Sequence, residues 1–171
     1  DAGAVAELAE RERAAVLILI GDGMARPFAD HLEATEPRPN LDTIQVVASG
    51  GTGLSATVRG RLGALLPNAR ILDGFGSSES GVIGSRVPDN ETEPRFALNA
   101  DAAVLDDDLE PVAPGSGVVG SIARSGRLPL GYLNDPDKTA ATFRVDGRGK
   151  RWVVLGDKAT VEADGTARLC G

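Results

Sequence analysis

The sequence predicts an α/β fold, a parallel βαβ three-layer segment followed by a small antiparallel β subdomain. Two observations predict it. From Ala2 to Leu72, stretches with apolar residues at helical spacing alternate three times with short aliphatic runs that end in Gly-rich or polar sequence. From Ala102 onward the helical spacing fades, and short apolar runs recur close together with turn residues between them. At 171 residues and 42% hydrophobic composition the chain is long enough to bury a core, and with 4% aromatics that core is mainly aliphatic.

Taken in order, Ala2 to Ala14 is rich in Ala, Glu and Arg, with Val5, Leu8 and Ala9 on one helical face. Ala15 to Ile20 is a continuous aliphatic run closed by Gly21-Asp22-Gly23, which predicts a strand buried on both faces. A helix over about Met24 to Ala34 follows, with Met24, Phe28 and Leu32 four apart and Asp22 or Gly23 as its cap. After the proline-punctuated Glu36 to Asn40, Thr43 to Ala48 reads as a β-branched strand. Gly50 to Gly53 is a loop, and Ser55 caps a helix that carries Val58, Leu62 and Leu65 to a stop at Pro67. Ala69 to Leu72 is the third strand, and three strands alternating with helices make parallel βαβ units.

Ser85 to Ala100 has no period and reads as a loop. The expected organisation is therefore an α/β segment over 1–84, a linking loop over 85–100 and a small β subdomain over 101–171. Strands are expected at Ala102 to Leu105, Val118 to Ala123, Trp152 to Leu155, Ala159 to Glu162 and Ala167 to Leu169. Turns fall at Asp106 to Asp108, Pro114 to Gly117 and Asp164-Gly165, and Trp152 reads as a core anchor.

Composition narrows the function. A formal charge of -7 argues against nucleic acid or an anionic membrane surface as partner. A single cysteine, Cys170, excludes an internal disulfide framework, and the lone histidine, His31, excludes paired-His metal sites. The longest apolar stretch, Ala14 to Ile20, falls short of the roughly 20 residues a membrane-spanning helix needs, and no signal peptide is visible, so the chain reads as cytoplasmic.

The chemistry concentrates between Asp73 and Gly81. Ligands of α/β sheets bind at the carboxyl ends of strands, and this stretch follows one. Glycines at 74, 76 and 81 let backbone approach a ligand, Phe75 can stack on a planar ring, and Ser77, Ser78 and Ser80 offer hydroxyls to phosphate oxygens. Glu79 supplies a hard oxygen for Mg²⁺, which takes one or two protein carboxylates and leaves its other positions to water and phosphates. Upstream, Ser49-Gly50-Gly51-Thr52-Gly53 lies between strand and helix with amides free to face a ligand. A competing reading uses the same loop: Gly51, Gly53 and Ala56 satisfy G-x-G-x-x-A, and Asp73 stands where a Rossmann-type NAD(P)-binding domain keeps its ribose-binding acid. That reading leaves Phe75, Ser78, Glu79 and Asp157 without a task.

Gly74 to Ser80 resembles the aromatic-Gly-x-Thr/Ser-Glu loop of adenylate-forming (AMP-binding) enzymes. Three further pieces match in that superfamily's order: Ser49-Gly50-Gly51, Gly131-Tyr132 with Pro136 and Thr139, and Gly156-Asp157. The wording is most similar to bacterial acyl-CoA synthetases. The resemblance implies a part of the large N-terminal domain of such an enzyme, with ATP, Mg²⁺ and CoA as cofactor and co-substrates and a carboxylic, expectedly fatty, acid as substrate. It implies that Gly50, Gly51, Thr52, Asp73 and Gly74 line the adenine and that Phe75 stacks on it. Gly76 and Ser77 belong to the same binding loop. Ser78 would contact the α-phosphate, Glu79 would hold Mg²⁺, and Asp157 would accept from the ribose hydroxyls. Phe75 replaces the commoner Tyr, Ser78 replaces Thr, Leu155 stands where Thr is usual, and Ser121 replaces a usual Glu. The superfamily's phosphate loop and its catalytic-lysine domain have no counterpart in these residues, so the expectation is a central segment of a longer ligase that is inactive alone. An incomplete parallel sheet is also expected to expose an edge or an apolar face, which would favour self-association.

Overall fold

The computed structural model describes residues 1–87 and 94–170, in two compact units, Asp1–Gly74 and Phe75–Gly171. The division falls within a strand, so the linking loop expected over 85–100 lies inside the second unit.

In the first unit the alternation of helix and strand is as the periodicity predicts. The order is α1 (Ala2–Arg11), β1 (Val16–Ile18), α2 (Gly21–Ala34), β2 (Val46–Ser49), α3 (Ala56–Leu65) and β3 (Arg70–Ser77), the last entering the second unit at Phe75. The three strands are parallel and in register, Val16 beside Val46 beside Arg70 and Ile18 beside Ala48 beside Leu72. Ala6, Ala9, Phe28, Leu32, Val58 and Leu62 from the three helices bury one sheet face with Leu17 and Val47. The opposite face is open. Val16 is 56% exposed and Ile18 61%, which corrects the expectation that β1 is buried on both sides. Alternation along β1 sends Leu17 one way and its two neighbours the other.

Helix α2 begins at Gly21, three residues before the expected start, and neither Asp22 nor Gly23 caps it. Its first amides are satisfied from the neighbouring loop instead: Gly21 N–H donates to Ser49 Oγ at 3.0 Å and Asp22 N–H to the Gly53 carbonyl at 3.2 Å. Ser55 caps α3 as expected, its Oγ accepting from Val58 N–H at 3.3 Å, and the helix stops before Pro67.

The second unit is antiparallel. Its strands are β4 (Gly81–Arg86), β5 (Arg95–Leu98), β6 (Ala102–Leu105), β7 (Gly120–Arg124), β8 (Phe143–Val145), β9 (Arg151–Val161) and β10 (Ala167–Leu169), with α4 (Pro136–Thr142) between β7 and β8. They run side by side as β4-β5-β10-β9-β7-β6, with β8 also on β9. Both faces are buried. Val104, Ile122 and Val153 pack to one side, and Leu105, Ala123 and Trp152 to the other, one residue apart along each strand.

Two expectations for this half are corrected, and one helix is new. The loop reading of Ser85 to Ala100 is displaced where β4 ends at Arg86 and β5 occupies Arg95–Leu98; residues 88–93 lie outside the described residues. A four-residue strand beginning directly after a proline is too short to show a period. The two strands expected at Trp152 to Leu155 and Ala159 to Glu162 are one, β9, carrying a register shift opposite Ser121 to Ala123. The unpredicted α4 is capped by Asp135, whose carboxylate accepts from Lys138 N–H at 3.0 Å, with Pro136 at its first position. Among the described residues, no helix is long and apolar enough to cross a membrane.

Candidate nucleotide site

In the first unit, the residues expected to line a base follow the carboxyl end of β2, at Gly50 to Thr52, and lie within β3, at Asp73 and Gly74. Ser49 is buried at 7% exposure and its hydroxyl ties this loop to Gly21. Asp22 Oδ1 accepts from Ser55 N–H at 2.8 Å, a bond that holds its carboxyl below the ordinary carboxylate range. Loop and helix start are thus fixed by hydrogen bonds from the preceding βα turn, a role for Asp22 that the sequence did not disclose. Gly50 has no room for a side chain, because a Cβ there would stand 2.7 Å from the Gly74 carbonyl oxygen. Gly51 and Thr52 are exposed on the same loop, next to that close backbone approach.

Asp73 is 8% exposed, and its Oδ2 accepts from Arg59 Nη2 on α3 at 2.8 Å. A carboxylate committed to a guanidinium in this way is poorly placed to take a ribose diol, which removes the main support for the dinucleotide alternative.

In the second unit, the stretch from Phe75 is a hairpin and not the open loop that its glycines suggest. β3 continues to Ser77, Ser78 to Ser80 turn, and β4 starts at Gly81. Gly76 makes this possible, since any Cβ on it would collide with the Gly81 carbonyl. Phe75 is half-buried and packs edge-on against Phe96, with ring centroids 4.8 Å apart. It is therefore anchored on the core of the second unit and is less free than an aromatic on a loop.

The serines divide by task. Ser77 Oγ accepts from the Glu79 and Ser80 amides at 3.2 and 3.3 Å, while Ser80 Oγ accepts from Ser77 N–H and donates to the Gly81 carbonyl. Both hydroxyls are consumed in shaping the turn. Ser78, at the tip, is exposed. Glu79 follows it, and its Oε1 accepts from Tyr132 Oη at 2.7 Å. That bond, then Ser77 and the backbone of the turn, keep the Glu79 carboxyl below its ordinary value, so it stays anionic. The same bond raises Tyr132. Arg124 donates through Nη1 to the Ser80 carbonyl and through Nε to Asp101 Oδ2 at 2.8 Å. The turn is held from two sides.

Asp157 is exposed on β9, where the register with β7 shifts between Ser121 and Ala123. Such a bulge re-aims side chains out of the regular alternation. Nothing in the sequence beyond Gly156 hinted at it. Asp106, in a turn the sequence predicts, accepts from the Asp108 and Glu110 amides and serves that turn. No group of three or more His, Cys, Asp or Glu side chains gathers among the described residues. Glu79 offers one anionic carboxylate beside the Ser78 hydroxyl, a donor set that fits a cation whose other positions are taken by phosphate and water oxygens.

The chain is similar to known proteins in sequence and in fold. A family model described as AMP-binding enzyme matches residues 1–133. A 3-oxocholest-4-en-26-oate--CoA ligase of Rhodococcus rhodochrous is 41% identical over 164 residues, covering 91% of this chain and 29% of the relative. The medium-chain acyl-CoA ligase Mig of Mycobacterium avium is 38% identical over 100% of this chain and 31% of its own length. The chain thus spans about a third or less of these relatives. Among solved structures, the nonribosomal peptide synthetase FmoA3 in its AMPPNP-bound form superimposes with a TM-score of 0.85 at 25% identity, over 100% of this chain and 19% of that one. A long-chain-fatty-acid-CoA ligase from Archaeoglobus fulgidus gives a TM-score of 0.79 at 17% identity, over 99% and 36%, and bears on the fold alone.

Proposed function

The chain belongs to the AMP-binding enzyme family, and on that premise we propose that it is the nucleotide-binding part of an ATP-dependent acyl-CoA synthetase. The observation that carries the proposal is the Ser77–Ser80 turn, which spends two hydroxyls on its own shape, presents a third at Ser78, and holds the Glu79 carboxylate anionic beside it. A rigid turn offering one hydroxyl donor and one carboxylate is what a polyphosphate with its cation requires.

In this reading Gly50, Gly51, Thr52, Asp73 and Gly74 line the adenine, Asp73 through its backbone because Arg59 holds its carboxylate. Phe75, packed edge-on against Phe96, gives the base a face of its ring. Ser78 donates to the α-phosphate, Glu79 ligates Mg²⁺, and Asp157 accepts from the ribose hydroxyls. Ser77 supports the turn. Mg²⁺, when bound, neutralises phosphate charge and so favours attack at phosphorus. The carboxylate of the acid attacks the α-phosphorus and pyrophosphate leaves; the CoA thiol then displaces AMP from the acyl-adenylate. The relatives act on fatty or steroid acids, which supports a large apolar carboxylic acid as substrate. We place the enzyme in the cytoplasm, where ATP and CoA are supplied.

The test is acid-dependent pyrophosphate release by the full-length protein that carries this chain. Glu79→Gln is expected to slow release far more than it weakens ATP binding; release at the unaltered rate would refute the metal assignment.

A further inference from the structure

We propose that Tyr132 is a positioning residue that sets the orientation of the Glu79 carboxylate, so that metal affinity at Glu79 is governed from the segment Gly131 to Thr139. The inference rests on the reading of Glu79 as a metal ligand and goes one step further back, to what aims it.

The geometry points to a built device. Tyr132 Oη reaches Glu79 Oε1 at 2.7 Å across 53 residues of sequence. Its own backbone is pinned, with N–H donating to Thr139 Oγ1 at 2.8 Å, and that hydroxyl donates in turn to the Asp135 carbonyl at 2.7 Å. Gly131 permits the contact, because a Cβ there would run into the Thr139 side chain. The ring is held on its face by Lys138, with Nζ 4.3 Å from the centroid, and packs against Phe143 at 5.9 Å. Backbone, ring and hydroxyl are thus each fixed.

A carboxylate at the tip of a turn rotates about its own axis unless one oxygen is held. Tyr132 occupies Oε1, which fixes the plane of the group and with it the direction of Oε2. Outer-shell donors of this kind are worth about 10–100-fold in metal affinity. A brace that served only to stabilise the turn would leave metal affinity alone once the turn was folded, and Arg124 already bonds that turn at Ser80.

The test uses the full chain with saturating ATP and Mn²⁺ as the probe, protein-bound metal being counted by the enhancement of water-proton relaxation that the chain adds to that of the Mn²⁺–ATP complex alone. Tyr132→Phe keeps the ring under Lys138 and removes only the hydroxyl. It is expected to weaken Mn²⁺ binding about tenfold while AMP affinity and melting temperature stay as in the parent. Glu79→Gln is expected to weaken it at least as far, and the double variant no further. Should Tyr132→Phe unfold the chain, Thr139→Ala, which frees the Tyr132 backbone, is expected to cause a smaller loss in the same direction. Parent-like Mn²⁺ binding by Tyr132→Phe, or by Thr139→Ala where that variant carries the test, overturns the positioning role if Glu79→Gln still binds weakly, and leaves the metal reading standing. Parent-like binding by Glu79→Gln, or no binding by the parent, overturns both.

Discussion

The two units hold the groups proposed to meet the nucleotide by different means. In the first, the turn after β1 and the loop after β2 are fixed by Ser49 and Asp22, and what the loop presents beside the Gly74 carbonyl of β3 is mostly backbone, from Gly50 and Gly51. In the second, a hairpin turn presents side chains, Ser78 and Glu79, fixed by Tyr132 and Arg124 reaching in from β7 and the segment after it. The cores differ in the same sense. One face of the parallel strands is buried under helices and the other is open at Val16 and Ile18, whereas the antiparallel strands are buried on both faces. Parallel sheets normally have both faces covered, so the open face marks where this unit lacks a layer among the described residues.

That contrast can be broken, and the largest effect is expected in the buried layer of the first unit. Phe28 is 1% exposed, and Phe28→Ala should cost about 3–5 kcal/mol in denaturant unfolding followed by circular dichroism. A cost under about 1 kcal/mol would mean that the helices do not form that core. Gly50→Ala should come next, at roughly 1–3 kcal/mol, because the new Cβ meets a backbone oxygen that cannot swing aside. A melting curve together with AMP binding would separate lost stability from a lost base site. In the second unit, Arg124→Leu removes two hydrogen bonds of a partly exposed guanidinium and should cost about 1 kcal/mol. Its larger consequence should be weaker Mn²⁺ binding at the loosened turn. Ile18→Thr on the open face should fall within about 0.5 kcal/mol, and a much larger loss would show that the face is covered.

The smallest effect is one of pH. Trp152 Nε1 donates to Asp146 Oδ2 at 2.9 Å, chiefly for which reason the Asp146 carboxyl lies below its ordinary value of 3.8. A depressed carboxylate contributes stability that is present above the unfolded value and lost as pH falls through the folded one. The emission of this single tryptophan should therefore hold steady down to about pH 4 and change below it, and Asp146→Asn should abolish that change.

The sequence disclosed the first unit best. Helical spacing around Phe28 and Leu62 and the Ser55 cap come from local patterns, and the structure keeps them. The start of α2 did not show, because Ser49, 28 residues away, satisfies its first amide. The open face did not show either, because an aliphatic run such as Ala15 to Ile20 reads alike whether one side or both are covered. In the second unit β5 and β8 are too short for a period, and the bulge before Asp157 depends on pairing with β7. At the candidate site the residue types at 78 and 79 were legible. That Ser77 serves the turn follows from the bonds its hydroxyl makes to the Glu79 and Ser80 amides, and that Arg124 and Tyr132 hold it follows only from contacts across 44 and 53 residues.

The measurement that bears most directly on a nucleotide site of the AMP-binding kind is the ligand-induced thermal shift of the 171-residue chain with ATP-Mg²⁺, AMP and NAD(H). Saturation at 100 times the dissociation constant stabilises the folded state by about 2.7 kcal/mol. The account predicts a shift with ATP and AMP that disappears in Phe75→Ala. A shift with NAD(H) and none with ATP or AMP would contradict it.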